Sequence, residues 1–158
     1  MKYYGICPAS CGEFVQGVMD RAEYLCSYAV DLYSTAEVEE KLNNINLGPL
    51  KSRKAIEAVF KKFNIPVEES KNISLKIRSK IPVGKGMASS TADIGATIGA
   101  TLGLIKKELS SEEIAKLAST IEPTDSIYIE KNSIFNPDRK STRLNSSHSA
   151  KSRMPSSA

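Results

Sequence analysis

Apolar and polar positions alternate with two different periods along this chain. Residues 3–7 (YYGIC) read as a short strand, and 8–17 (PASCGEFVQG) as a loop rich in turn residues. Residues 24–38 (YLCSYAVDLYSTAEV) are β-branched and aromatic, enough for one or two strands. The polar stretch 41–50, with Asn43, Asn44, Gly48 and Pro49, reads as a connection. From Lys51 to Phe63 the period changes: Ile56, Val59, Phe60 and Phe63 fall on one helical face with lysines opposite, until Asn64 and Pro66 end it. Ile73, Leu75 and Ile77 then alternate with Ser74, Lys76 and Arg78, the pattern of a half-buried strand over 73–79.

A Gly-containing loop follows (IPVGKGMASSTAD, 81–93). Ser90 with Asp93 three residues on predicts a box-like helix start, and Ile94, Ile98, Leu102 and Ile105 keep the helical spacing. A further helix is predicted from Ser110, boxed by Glu113, with Ile114, Leu117, Ala118 and Ile121 on one face and a stop at Pro123. SIYI (126–129) reads as another strand. Strands, helix, strand, Gly-rich loop, two helices and a strand make an α+β arrangement.

Charge changes the picture at the C-terminal end. Five of the 22 basic residues and one of the 18 acidic ones follow Pro137, so residues 1–137 carry 17 of each and no net charge. A nucleic-acid partner needs a basic face, and this body does not supply one. The single histidine, His148, also lies in the tail, which removes His-based triads and His metal sites from the body. The tail 138–158 (DRKSTRLNSSHSAKSRMPSSA) has Leu144 and Met154 as its only large apolar residues, and is expected to be disordered. It also resembles translated sequencing-adapter DNA, so the authentic sequence is taken as 1–137, cut off mid-gene.

Cys7, Cys11 and Cys26 are odd in number and lack metal-ligand spacing, so neither a zinc site nor a disulfide framework is expected. With no apolar run of 18 residues and no signal pattern, the expectation is a cytoplasmic protein without a membrane partner. Nothing in the sequence assigns an oligomeric state.

The chemistry points to the loop. A strand, then Gly84 and Gly86, then Ser89-Ser90 at a helix start makes an anion trap: glycines let backbone approach a phosphate, and unpaired helix N–H groups face it. Two adjacent hydroxyls can hold phosphate oxygens or Mg²⁺. No Lys-Ser/Thr pair follows the second glycine, so this is not a Walker A loop, and the third Rossmann glycine is missing. On spacing alone, a plain strand-to-helix turn with a serine cap remains the alternative.

Pro82-x3-Gly86-Met87-Ala88-Ser89-Ser90-Thr91-Ala92 resembles the second motif of the GHMP kinases, P-x3-G-L-G-S-S-A, departing at Met87, Ala88 and Thr91. CPASCGEFVQG (7–17) resembles their first motif, and EPTDS (122–126) sits where the family places its catalytic acid. The resemblance implies a ribosomal-protein-S5-like N-terminal domain over 1–137, with ATP and Mg²⁺ as cofactors and a small hydroxyl-bearing substrate. It implies that Pro82, Gly84, Lys85, Gly86, Met87, Ala88, Ser89 and Ser90 hold the nucleotide, that Ser90 and Glu122 bind Mg²⁺, and that Asp125 accepts the hydroxyl proton. Glu13 and Gln16 become candidates for substrate contact, and Cys7 and Cys11 small buried residues beside the first motif.

Within the family the three segments are most similar to members that phosphorylate free L-threonine for cobalamin side-chain synthesis; homoserine is the rival acceptor. A non-catalytic S5-like binding module is the reading from another class. The family's C-terminal domain, with its third glycine-rich motif, has no counterpart before residue 137. The chain alone is therefore expected to lack turnover.

Overall fold

The computed structural model describes residues 1–19, 21–42, 47–123, 126–128, 133–136 and 141–144. Two long strands, β1 (Lys2–Met19) and β2 (Ala22–Glu40), pair antiparallel from Lys2↔Glu39 to Met19↔Ala22. Helix α1 (Leu50–Lys62) and a 3-10 turn, Val67–Asn72, lead into β3 (Ile73–Ser79), which pairs with the end of β2 from Ser34↔Ser79 to Glu40↔Ile73. Helices α2 (Ser89–Ile105) and α3 (Ser111–Ala118) follow, then a 3-10 helix, Ser126–Tyr128, and two short strands, β4 (Ser133–Asn136) and β5 (Ser141–Leu144). β4 meets β2 near its start, at Leu25↔Phe135. Because β1 occupies one edge of β2, β3 and β4 share the other.

Alternation sorts the strands into two faces. Tyr3, Gly5, Cys7 and Ala9 of β1 turn toward α2, while Tyr4 and Ile6 are exposed. Ala36 and Val38 of β2 and Ile73 and Leu75 of β3 complete the inner face, which packs with Ile56 and Phe60 of α1 and with Ala92, Ala96 and Ala100 of α2. A second cluster joins the helices to one another through Ala55 and Val59 of α1, Ile94, Ile98 and Leu102 of α2, and Ala118 of α3. Helix α2 is thus sandwiched between sheet and helices. Its buried Thr97 and Thr101 hydroxyls donate back to the carbonyls of Asp93 and Thr97, so neither is left unpaired.

Helix α1, β3 and the helical run from Ile94 stand where their periods predict, and α3 opens with the full Ser110–Glu113 capping box. Four expectations of local structure change. Residues 8–17 are strand, not loop: Pro8 and Gly12 (φ +108°) stand beside register shifts in a bulged hairpin, so turn-forming residues mark bulges within continuous pairing. Residues 126–128 form a 3-10 helix, not a strand, with Ile127 buried and the Tyr128 hydroxyl donating to the Thr91 carbonyl. A short apolar run has no period of its own, and this tertiary anchor decides it. Within the stretch 138–158 that is expected to be disordered, Ser141–Leu144 pair antiparallel with β4, while residues 138–140 and 145–158 lie outside the described residues. The fourth change concerns Asp93, described with the site below.

Candidate functional site

Strand β3 delivers the chain to Ile81, which is buried, and the next five residues are exposed. Gly84 and Gly86 take φ of +70° and +69°, and a Cβ at either would meet no atom within 4 Å; left-handed backbone, rather than crowding, calls for glycine here. Ala88, the N-cap of α2, is also left-handed at φ +54°. Alternating left-handed residues curl successive N–H groups toward one side, a concavity suited to an anion. Helix α2 has no side-chain cap, so its leading amides lack partners within the helix and its dipole is uncompensated.

A non-glycine residue at this φ carries strain. Ala88→Gly is therefore expected to stabilise the fold by about 1 kcal/mol. Urea denaturation would check it; an unchanged or lowered midpoint would mean that Ala88 is not strained.

The Ser90–Asp93 box does not form. Asp93 instead accepts a 2.5 Å hydrogen bond from the Ser34 hydroxyl of β2. Burial pushes the Asp93 carboxyl above its ordinary value, against the Ser34 hydrogen bond, and the negative charge of Glu122 pushes it further. Glu122, after α3, forms an ion pair with Lys51 from the first turn of α1. Its side chain is 12% exposed against 55% for Lys51, and its Oε1 is buried with no hydrogen-bond partner among the described residues.

Lys51 and Asp93, the partners of Glu122 and Ser34, line one cleft of about 330 Å³ together with Pro49, Leu50, Ser52, Val83, Ser89 and Ser90. A larger hollow of about 600 Å³ lies between α1 and α3, but it holds none of the residues that the motifs single out. Oxygen donors, a lysine and helix amides without helix partners are groups able to hold a phosphate chain and a hard cation.

The first motif supports the loop from behind: the Ser10 amide donates to the Met87 carbonyl at 3.2 Å, and the Ser10 hydroxyl to the Gly12 carbonyl. Cys7 is buried there, and its thiol is pushed up to about 12 by burial and by the nearby Asp93 charge, so it is inert. Cys11, expected to be buried, is exposed. Glu13 and Gln16 are exposed on β1, opposite Ser27 and Leu25, and neither lines the cleft. Pro82 and Lys85 are exposed on the loop.

Asp125 lies outside the described residues. Of the described residues on either side of it, Glu122 pairs with Lys51, and the Tyr128 hydroxyl donates to the Thr91 carbonyl in the first turn of α2. Lys51 is the member that sequence reasoning missed. The signal was available: α1 opens with basic residues and no acid in its first turn, against its own dipole.

Residues 51–129 match the GHMP kinases N terminal domain family. The chain is 43% identical over 87% of its length to the L-threonine kinase of Salmonella typhimurium and 38% identical over 87% to that of Citrobacter freundii, covering 46% and 48% of those proteins. It thus spans about half the length of the curated relatives it matches. The crystal structure of the Methanococcus jannaschii mevalonate kinase superposes with a TM-score of 0.67 at 24% identity, over 90% of this chain and 55% of that one, a likeness of fold. Among the described residues no helix is long and apolar enough to cross a membrane.

Proposed function

The chain belongs to the GHMP kinase family, and from that premise we propose that the protein is an ATP-dependent kinase that moves the γ-phosphoryl group to the hydroxyl of free L-threonine. The product, O-phospho-L-threonine, would serve cobalamin side-chain synthesis. The observation that carries this reading is the cleft itself, where left-handed backbone at Gly84, Gly86 and Ala88 runs into an uncapped helix bearing Ser89 and Ser90. Identity to two L-threonine kinases over nearly nine-tenths of the chain supports threonine as the acceptor.

The residues fit Mg²⁺. Glu122 offers a buried carboxylate oxygen that lacks a partner among the described residues, and Ser90 lines the adjoining cleft with a second hard donor. Mg²⁺ held there would neutralise charge on the phosphate oxygens. The backbone amides of residues 84–90 then position the triphosphate, while Pro82, Val83 and Met87 shape the loop that presents them. Lys85, exposed beside the phosphates, adds charge at the rim.

Asp125 is assigned the acceptor's proton, as the acid of the EPTDS segment between Glu122 and Tyr128. Three free cysteines suit a reducing compartment, and the cytoplasm fits.

The test is ADP formation by the intact protein with threonine, homoserine and serine offered in parallel. Mg²⁺-dependent turnover with threonine is expected, and Asp125→Asn should lower it about a hundredfold. Turnover with homoserine alone would keep the chemistry and replace the acceptor. A folded protein that forms no ADP with any of the three would refute the kinase reading.

A further inference from the structure

We propose that Lys51 is a positioning residue that competes with the divalent cation for Glu122: its ammonium holds the carboxylate until metal and nucleotide arrive, then turns to the triphosphate. The inference rests on the kinase reading above and goes beyond the roles that the motifs assign.

The geometry separates a fixed partner from a movable one. Glu122 is largely buried, whereas more than half of the Lys51 side chain is exposed, on a flexible four-carbon stem. The pair joins residues 71 positions apart, and the helix that carries Lys51 gains nothing from a cation in its first turn. The location is therefore explained by what lies opposite it.

Charge supplies the second step. Lys51 pairs with Glu122 and lines the same cleft as the Asp93 carboxyl. A single ammonium makes one ion pair here, and Glu122 Oε1 stays without a partner among the described residues. A divalent cation would satisfy that oxygen and bring a second positive charge. Lys51 also lines the cleft that Ser89 and Ser90 line. Once released from Glu122, its ammonium faces the phosphates without leaving the site. Lys85 is a poorer candidate for this role, being exposed on the loop with no ion pair among the described residues.

The experiment measures binding, not turnover. Mn²⁺ alone, followed by electron paramagnetic resonance, and ATP in excess EDTA, followed by calorimetry, are titrated into the intact wild-type protein and into Lys51→Met, Lys51→Arg and Glu122→Gln. Removing the competitor should tighten Mn²⁺ binding to Lys51→Met about threefold. The same variant should bind metal-free ATP about tenfold more weakly, and Lys51→Arg should recover most of that loss. Equal or weaker Mn²⁺ binding by Lys51→Met would overturn the proposal and leave Lys51 a pin between α1 and Glu122. Undiminished Mn²⁺ binding by Glu122→Gln would instead overturn the metal assignment on which the proposal rests.

Discussion

Alanine in place of Gly5 is expected to destabilise the fold by about 3 kcal/mol or more, a large part of the 5–15 kcal/mol that a domain commands. A Cβ at Gly5 would stand 2.0 Å from the Ala96 carbonyl oxygen and 2.5 Å from the Ala100 amide nitrogen. Both belong to the backbone of α2, so no side-chain rotation relieves the clash and the helix itself must withdraw from β1. The inner face is lined with small residues for this approach: Cys7, Ala9 and Ala36 on the sheet, Ala92, Ala96 and Ala100 on the helix.

Withdrawing α2 also tilts its first turn, which carries Ser89 and Ser90, so nucleotide affinity should fall along with stability. Gly99→Ala is the control. Its Cβ would lie 3.7 Å from the Gly5 Cα, an ordinary contact, and alanine favours the helix by about 1 kcal/mol. Urea denaturation of the two variants should therefore move in opposite directions. A Gly5→Ala midpoint within error of wild type would show that α2 does not sit this close to the sheet.

That close approach was not legible in the sequence, whereas much around it was. The helix of Ile56, Val59 and Phe60, the alternation of Ile73, Leu75 and Ile77, and the Ser110–Glu113 box each depend on neighbours a few residues away, and local period reports such features well. The left-handed loop before α2 was legible for the same reason, since Gly84, Gly86, Ser89 and Ser90 lie close together in sequence. Pairings across long separations were not. The bulged course of residues 8–17 depends on β2, and the 3-10 turn at Ser126–Tyr128 depends on Thr91, 37 residues earlier. Asp93 looked like a cap because Ser90 stands at box spacing, but Ser34, 59 positions away, supplies its hydrogen bond. Lys51 and Glu122 were each visible in the sequence, one as a solvated helix lysine and one as a metal candidate. Only the fold makes them a pair.

Arg53→Met is expected to cost about 3 kcal/mol, because the buried guanidinium makes four charge-assisted hydrogen bonds to two carbonyls. Nη1 and Nη2 both donate to the Ser70 carbonyl, at 2.8 and 3.0 Å, and both to that of Ile73, at 3.0 and 2.7 Å. Those carbonyls flank the passage from the 3-10 turn into β3, so one side chain staples α1 to the strand that leads to the loop. Methionine matches the stem's volume but makes none of these hydrogen bonds. Arg53→Lys should recover only part of the loss, since one ammonium cannot reproduce a planar fork across two acceptors. Burial lowers the affinity of Arg53 for its proton, with the Glu57 charge opposing, and the group stays a cation at neutral pH. Lys51 lies two residues before it on α1, so loosening the staple should also disturb the Lys51–Glu122 pair. Thermal denaturation reads the loss of stability, and hydrogen exchange at Ile73 and its neighbours reads the local opening. A loss below about 1 kcal/mol, with exchange near Ile73 unchanged, would mean that water serves those carbonyls as well as the guanidinium does.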